Sequence, residues 1–328
     1  MQVLVIGATG SLGYSTVNKL LQAGHQPRIL VRNPQKVEFD SRVEVVVGDA
    51  AIEEDVQRAM RGCEALFYCV NPPITQWNTQ LVPLLKTSLA ACRDVDAKLI
   101  FPGNVWVFGK GKPRVMISET HPYTPCSRKG HLRMTQEQLI KESGTRFAIV
   151  RLPEFYGPHL GSSNRIMGEP FKNALLGKPI VWVGGHLDVQ VEYVFMEDAA
   201  QSMVEVGLAD DTDGETFHVP GYSPITPRQF FTEAARIAGT GSKVKTIHPQ
   251  LIKFMGLFDE VVREFIDIQH LWSEPILLDG TKYRQRFGQI PQTPYNEGIH
   301  RTLAWFAQPL DGNNSSDRAF FSSSLANG

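Results

Sequence analysis

Cysteine is scarce in this 328-residue sequence, and no cluster of cysteine and histidine suggests a metal site. The chain has four cysteines, and none belongs to a Cys-x-x-Cys pair. The histidines are spread over predicted loops and strand ends without a pair at the spacing of zinc ligands. We therefore expect no metal and no disulfide-rich scaffold.

Long apolar runs and an excess of charge of either sign are also missing. No segment is apolar over the roughly 20 residues that a membrane-spanning helix needs. Met1 leads directly into the segment of residues 2–7, without the basic region that opens a signal peptide. Lys and Arg total 33 against 34 for Asp and Glu, a net charge of −1, and no basic cluster stands out. We therefore expect a cytoplasmic protein with no nucleic-acid and no membrane partner.

Short β-branched runs alternate with amphipathic helical patterns in the first half of the chain. This alternation predicts βαβ units and a parallel sheet that is covered on both faces. The predicted fold class is α/β, a doubly wound Rossmann sheet with a smaller, mainly helical C-terminal substrate domain. Strands are predicted at 2–7, 26–31, 43–47, 65–70, 98–102, 146–151, 189–194 and 216–220, and helices at 11–23, 81–92, 197–207, 226–238, 249–258, 260–271 and 295–306.

The second half of the chain is less regular and suggests a discontinuous division into domains. We assign residues 1–159 and 188–222 to the dinucleotide-binding domain, and residues 160–187 and 223–309 to the substrate domain. Residues 310–328 are rich in Ser, Asn and Gly, so we expect a tail without fixed structure.

The strongest motif is a Gly-x-x-Gly-x-x-Gly loop between the first predicted strand and the first helix. Gly7 allows the tight turn, Gly10 allows close approach of a pyrophosphate, and Gly13 allows the helix to pack on the strand. The N-terminus of the helix then offers free N–H groups and a partial positive charge to the phosphates. The motif predicts dinucleotide binding.

Arg32 stands at the end of the second predicted strand, where NAD-preferring sites place an acidic residue. An arginine at this position suits the 2′-phosphate of NADP. The alternative is an ordinary solvated arginine. We expect NADP as the cofactor, with NAD as the alternative.

Further motifs follow the glycine loop in a recognisable order, namely Gly48-Asp49, residues 69–72, residues 151–158 and residues 193–200. With them the sequence resembles the extended and atypical branch of the short-chain dehydrogenase/reductase superfamily, which holds NAD-dependent epimerases and dehydratases and NmrA-like proteins. The resemblance implies cofactor contacts along the ends of the predicted strands. These residues are Gly7, Thr9, Gly10, Ser11, Leu12, Gly13, Arg32, Asp49, Ala50, Val70, Asn71, Pro72, Pro153 and Phe155.

The catalytic Tyr-x-x-x-Lys pair of that superfamily is missing, because no tyrosine here is followed four residues later by lysine. In the matching register Lys129 replaces the tyrosine, Arg133 replaces the lysine, and Asn104 lies near the place of the serine. In one interpretation Lys129 is a general acid with a pKa lowered by Arg133 and burial, Arg133 holds the ribose or phosphate, and Asn104 polarises a substrate oxygen. In the other interpretation these residues are structural and the site only binds cofactor.

A substrate pocket is expected beside the nicotinamide. The resemblance places five candidate substrate contacts there, which are Trp106, Glu154, Ser162, Asn164 and Arg165.

Two functions remain open. The first is an NADP(H)-dependent oxidoreductase or epimerase-like enzyme that acts on a small carbonyl, alcohol or sugar-nucleotide-like substrate. The second is a catalytically inactive, NADP(H)-sensing regulatory protein of NmrA-like type. Relatives that pair as homodimers suggest helices 81–92 and 129–142 as a candidate interface.

Overall fold

The computed structural model describes residues 1–36, 38–112, 114–160 and 165–308. The strands are β1 Gln2–Ile6, β2 Gln26–Val31, β3 Glu44–Val47, β4 Ala65–Tyr68, β5 Lys98–Asn104, β6 Met116–Ile117, β7 Phe147–Leu152, β8 Glu154–Tyr156, β9 Ile180–Trp182, β10 Tyr193–Phe195, β11 Glu215–His218, β12 Val244–Thr246 and β13 Leu277–Leu278. The helices are α1 Ser11–Gln22, α2 Glu53–Met60, α3 Trp77–Asp94, α4 Arg128–Glu142, α5 Arg165–Leu175, α6 Met196–Leu208, α7 Pro227–Ile237, α8 Pro249–Met255, α9 Glu260–Ile266, α10 His270–Ser273, α11 Thr281–Phe287 and α12 Tyr295–Ala307.

A seven-stranded sheet in the order β11-β7-β5-β4-β1-β2-β3 forms the centre of the described structure. Every neighbouring pair of these strands is parallel. The strand order reverses beside β1, and the carboxyl ends of all strands lie at one edge of the sheet. Ligands of doubly wound sheets bind outside this edge, next to the reversal point.

Helices cover both faces of this sheet, as the continuous apolar strands predict. On one face α1 and α6 pack on each other and on the sheet, with Val17, Leu20 and Met203 in the core. On the other face α2, α3 and α4 contribute Val56, Leu85 and Ile140, among others, to a separate core. The prediction of a doubly wound α/β sheet is confirmed.

A third core lies beyond the carboxyl edge of the sheet. It is rich in aromatic residues and contains Phe171, Trp182 and Phe230 from α5, β9 and α7. Two short parallel pairs, β9 with β12 and β8 with β10, support it. The division of the chain at residues 159, 188 and 222 remains a prediction, and the tail predicted at 310–328 lies outside the described residues.

Three segments of the structure differ from the predicted elements. The strand predicted at 189–194 is confined to β10, which pairs with β8 and does not join the large sheet. The helix predicted at 260–271 is interrupted between α9 and α10. Helix α5 begins at Arg165, where no helix is predicted, and it contains an internal proline, Pro170.

Candidate functional site

The glycine loop forms the tight turn that its sequence predicts. Gly7 has a φ of +78°, and its carbonyl oxygen accepts a hydrogen bond from the Gly10 N–H at 3.0 Å. A Cβ on Gly7 would lie 2.5 Å from the Cys69 carbonyl, and a Cβ on Gly13 would lie 2.3 Å from the Gly7 oxygen. These two glycines are therefore required by packing within the protein itself.

Gly10 differs from the other two glycines because a Cβ there would meet only the Gly7 oxygen, at 3.4 Å. Gly10 is the N-cap of α1, no side chain caps this helix end, and the first turn contains no acidic residue. The first N–H groups of α1 therefore remain available to an anion, as the pyrophosphate of a dinucleotide requires. Ser11 directs its hydroxyl elsewhere and donates to the carbonyl oxygen of His159.

Arg32 is exposed directly after β2, next to this loop at the carboxyl edge. Among the described residues its side chain makes no hydrogen bond and no ion pair. The neighbouring strand β3 leads to Asp49, whose N–H donates to the Asp55 carboxylate at 2.8 Å and whose Oδ1 accepts from the Ala51 N–H. A free guanidinium and an acceptor carboxylate thus lie where the adenosine part of a dinucleotide is expected.

The loop after β4 is tied to α4 through Arg133. Its Nη2 donates to Asn71 Oδ1 at 2.9 Å, and its Nη1 donates to Gln136 Oε1 at 2.9 Å. The guanidinium lies 4.2 Å from the centre of the Trp77 ring, which in turn contacts Trp106 at 5.0 Å between ring centres. Burial lowers the pKa of Arg133 to about 10. Its Nε is buried without a hydrogen-bond partner among the described residues, so the side chain keeps one unused donor.

Lys129 lies in the first turn of α4 and is 1% exposed. Its Nζ donates to Glu264 of α9 and lies 3.8 Å from the Asp267 carboxylate. The same Asp267 accepts the backbone N–H of Lys129 at 3.1 Å, and Arg128 donates to both oxygens of Glu264 at 2.8 and 2.9 Å. A cluster of two cations and two carboxylates therefore joins the start of α4 to α9.

The charges of this cluster stabilise each other. Burial alone would raise the pKa of Glu264, but hydrogen bonds and charge attraction from Lys129 and Arg128 outweigh it and lower the pKa. Glu264 is therefore a carboxylate at neutral pH. Lysine has three donor positions on its ammonium group, so a partner on one side leaves others for a substrate oxygen.

Asn104 ends β5 at the same edge of the sheet. Its Oδ1 accepts the Trp106 N–H at 3.1 Å and so caps the 3-10 turn Val105–Phe108. Its carbonyl oxygen accepts from Arg151 at 2.6 Å. The amide oxygen of Asn104 is therefore engaged, and its NH₂ group is the part that can reach a ligand.

A buried ion pair, Arg151 with Glu137, lies next to Asn104. Arg151 and Glu137 are at most 1% exposed and form a bidentate contact at 2.8 and 2.9 Å. Tyr123 accepts from Arg151 at 2.8 Å and donates to Glu137. Burial opposes the charge of Arg151, but Glu137 outweighs it and raises the pKa of the guanidinium. The pair fixes the end of β5, because Arg151 also holds the Asn104 carbonyl.

The predicted substrate contacts are only partly described. Glu154 and Phe155 lie in β8, opposite Tyr193 and Val194 of β10. Pro153 is buried between β7 and β8. Ser162 and Asn164 lie outside the described residues, and Arg165 begins α5.

Sequence reasoning missed Glu264 and Asp267, the residues that contact Lys129 from the C-terminal half. They lie 135 and 138 residues further along the chain, within a helical pattern that carries no motif. A fully buried lysine at a helix start requires a carboxylate partner, but the sequence does not show which carboxylate provides it.

Comparisons with known proteins agree with this fold. The sequence profile of the NAD(P)H-binding family matches residues 7–174. Sterol-4-alpha-carboxylate 3-dehydrogenase, decarboxylating, of Mus musculus is 24% identical over 335 residues, which cover 92% of this chain and 90% of that protein. Photosystem II assembly factor Ycf39 of Cyanophora paradoxa is 24% identical over 250 residues, 75% of this chain and 72% of that protein. The structure of Thermus thermophilus UDP-glucose 4-epimerase in complex with NAD superposes with a TM-score of 0.74 at 20% identity, covering 94% of this chain and all of that one.

Proposed function

This chain belongs to the NAD(P)H-binding family, in the extended branch of the short-chain dehydrogenase/reductase superfamily, and from that membership we propose that it is an NADP(H)-dependent oxidoreductase or epimerase-like enzyme. The substrate class is a small carbonyl, alcohol or sugar-nucleotide-like compound. The observation that carries the catalytic part is the contact of the buried Lys129 side chain with Glu264, and we assign Lys129 to the place of the superfamily's tyrosine.

The carboxyl edge of the sheet suits the cofactor residue by residue. The uncapped N-terminus of α1 and the open space at Gly10 fit a pyrophosphate, and Arg32 offers a free guanidinium to a 2′-phosphate. Asn71 and Arg133 lie together beyond β4, on the expected ribose side. Hydride transfer to or from a substrate carbon is the chemistry that a bound nicotinamide supplies.

The residues of this chain supply the proton. In the reducing direction, the Lys129 Nζ–H bond breaks as the substrate oxygen takes the proton, and the amine remains beside Glu264. In the oxidising direction the amine takes the hydroxyl proton back. Glu264 orients the amine by accepting a hydrogen bond from it, and the Asn104 NH₂ group donates to the same substrate oxygen.

The proton role is tested by replacing Lys129. Lys129→Met should abolish NADPH oxidation across a panel of carbonyl compounds and nucleotide sugars, while NADPH affinity remains within about threefold. Lys86→Met, at an exposed position of α3, is the matched control and should keep full activity. Unchanged turnover by Lys129→Met would refute the assignment.

The cofactor preference has its own test. We expect Arg32→Ala to weaken NADPH binding by about tenfold or more, since a charge-assisted hydrogen bond contributes about 1.5–3 kcal/mol, and to leave NADH binding unchanged. Arg93→Ala, which removes an arginine near the end of α3, is the control. Equal affinities of the wild-type chain for NADH and NADPH would contradict the preference.

The second candidate is a catalytically inactive, NADP(H)-sensing regulatory protein of NmrA-like type. It is favoured by the missing Tyr-x-x-x-Lys pair and by the carboxylates that already occupy one side of Lys129. Micromolar NADPH binding without turnover on any compound of the panel would support this candidate and refute the enzyme.

Assembly and location remain proposals as well. We propose a homodimer through α3 and α4, to be tested by sedimentation equilibrium, and a cytoplasmic location. In the described part of the chain, no helix combines the length and the apolar character that crossing a membrane requires.

A further inference from the structure

The hairpin of α8 and α9 exposes the largest apolar side chains of the described surface. Five of them, here called the apolar face, are 40–79% exposed. They are Leu251, Phe254, Met255, Leu257 and Phe258. Single exposed apolar residues are normal in any protein, but a contiguous exposed group marks an interaction surface.

The apolar face has helical spacing. Leu251, Phe254, Met255 and Phe258 recur three and four residues apart, and the Phe254 and Phe258 rings lie 5.4 Å apart. Ile252 points the other way, is 4% exposed and anchors α8 in the protein. This helix therefore has apolar residues on both sides, and only one side is covered by the described structure.

The charges near the apolar face are mainly positive, although the acidic residues Asp259 and Glu260 follow Phe258 directly. Residues 243–258 contain three exposed lysines, Lys243, Lys245 and Lys253, and no acidic residue. The whole chain, in contrast, has a net charge of −1. A surface that combines exposed aromatic residues with an excess of cations is complementary to the headgroups and acyl boundary of an anionic bilayer.

The apolar face is held firmly in its exposed position. Arg263 of α9 donates to the carbonyl oxygens of Gly256 and Leu257 at 3.0 and 3.5 Å. Asp259 caps α9 by accepting the N–H groups of Val261 and Val262. The turn between the two helices is thus braced from α9, and does not fold back to cover the phenylalanines.

We propose that the apolar face binds the surface of an anionic lipid bilayer, with the phenylalanines at the acyl boundary and the lysines at the headgroups. The contact is peripheral, because α8 has seven residues and is far shorter than a membrane-crossing helix. This proposal does not depend on the proposed function, since lipid binding needs neither cofactor nor turnover.

The test is sedimentation of the full chain with vesicles of equimolar phosphatidylcholine and phosphatidylglycerol, against vesicles of phosphatidylcholine alone. We expect binding to the anionic vesicles and at least about tenfold weaker binding to the neutral ones. Phe254→Ser with Phe258→Ser should weaken binding at least about tenfold, since each buried phenylalanine contributes more than the roughly 1.4 kcal/mol of a tenfold change. The matched control, Val45→Ser with Val47→Ser, alters two exposed apolar residues of the edge strand β3 and should bind as wild type does.

The electrostatic part is tested separately. Changing Lys243, Lys245 and Lys253 to glutamine should weaken binding to anionic vesicles by about tenfold or more and remove most of its dependence on salt. All variants should keep wild-type NADPH binding and circular dichroism, because the altered residues are exposed.

Several outcomes would overturn the proposal. One is that neither kind of vesicle sediments the chain, and another is that the double phenylalanine variant binds as well as wild type. A third is that the chain dimerises in solution, the phenylalanine variant abolishes dimerisation and vesicles have no effect. The apolar face would then be covered by a second copy.

Discussion

Replacing Glu264 by glutamine is a direct test of the cluster that joins α4 to α9. Glu264→Gln keeps the shape of the side chain and removes its charge. The ammonium of Lys129, 1% exposed, would then lose its nearest carboxylate, and Arg128 would keep one oxygen partner of the two that Glu264 provides. Asp267, 3.8 Å from Lys129, would remain as the only carboxylate beside the ammonium in the described cluster.

The magnitude follows from the burial of the pair. Removing one partner of a buried ion pair costs about 3–5 kcal/mol, because an uncompensated charge remains in a poorly solvated place. The Glu264 side chain is 11% exposed, and Asp267 offers partial compensation, so we expect about 3 kcal/mol for Glu264→Gln. Lys129→Met with Glu264→Gln should lose less than Glu264→Gln alone, since the buried cation is then absent as well.

Urea unfolding, followed by circular dichroism and by NADPH fluorescence, measures the free energies of unfolding of the wild type, of Lys129→Met, of Glu264→Gln and of the double variant. Glu260→Gln is the matched control, because Glu260 is an exposed residue in the first turn of α9, and it should change the free energy of unfolding by about 0.5 kcal/mol at most. A loss below about 1 kcal/mol for Glu264→Gln, or equal losses for the single and double variants, would refute the buried ion pair.

The same variant has a predicted pH dependence. The pKa of Glu264 lies below its ordinary value of 4.5 in the folded protein, so the unfolded state takes up its proton first as the solution is acidified. The stabilisation by Glu264 is therefore complete above pH 4.5 and is lost as the pH falls through the lowered pKa. The difference in stability between wild type and Glu264→Gln should shrink over that acidic range and stay constant above it.

Three further variants test other parts of the structure. Gly13→Ala places a Cβ 2.3 Å from a carbonyl oxygen and should prevent folding, whereas Gly10→Ala should keep the circular dichroism spectrum of wild type and lose NADPH affinity; equal behaviour of the two would contradict the different roles of these glycines. Glu137→Gln leaves Arg151 buried without its bidentate partner and should cost about 3 kcal/mol in urea unfolding, so a loss within about 0.5 kcal/mol would contradict the pair. Burial raises the pKa of Glu192 from 4.5 to about 8, so its contribution to stability is complete below pH 4.5 and is lost as the pH rises through about 8. Glu192→Gln should therefore flatten the decline of the melting temperature over this range, and an unchanged decline would exclude Glu192 as its cause.

The sequence predicts the central sheet well because the inner strands of this sheet are buried on both faces. Such strands appear as continuous apolar runs, and the predicted bounds of β2 coincide with the observed ones. The same reasoning overextends β10, because Val191 and Glu192 are buried although they lie outside the strand; Val191 forms an isolated antiparallel bridge with Ile225. Glu192, for example, is buried by accepting the N–H of Leu278 at 3.1 Å, a contact 86 residues distant that no local pattern indicates.

The two ends of the candidate site differ in how far the sequence predicts them. The glycine loop is local: its turn, its N-cap and its helix all fall within residues 7–22, so spacing alone defines it. The cluster around Lys129 is assembled from α4 and α9, and its geometry depends on how the C-terminal half packs. The apolar face shows a third limit, since the helical period predicts α8 correctly but does not indicate which of its two apolar sides the protein covers.

The position of Glu264 connects features that the sequence presents separately. Lys129, the residue proposed to replace the superfamily's tyrosine, introduces a charge into a buried position, and that charge is tolerated only with a carboxylate beside it. The central sheet and its covering helices do not supply this carboxylate; α9 does. Arg263, the residue before Glu264, holds the turn that carries the apolar face. Because neighbouring residues of one short helix hold the ammonium and the turn, any displacement of α9 moves both together. The C-terminal half is therefore part of the Lys129 site in an electrostatic sense, whether that site transfers a proton or only reports that cofactor is bound.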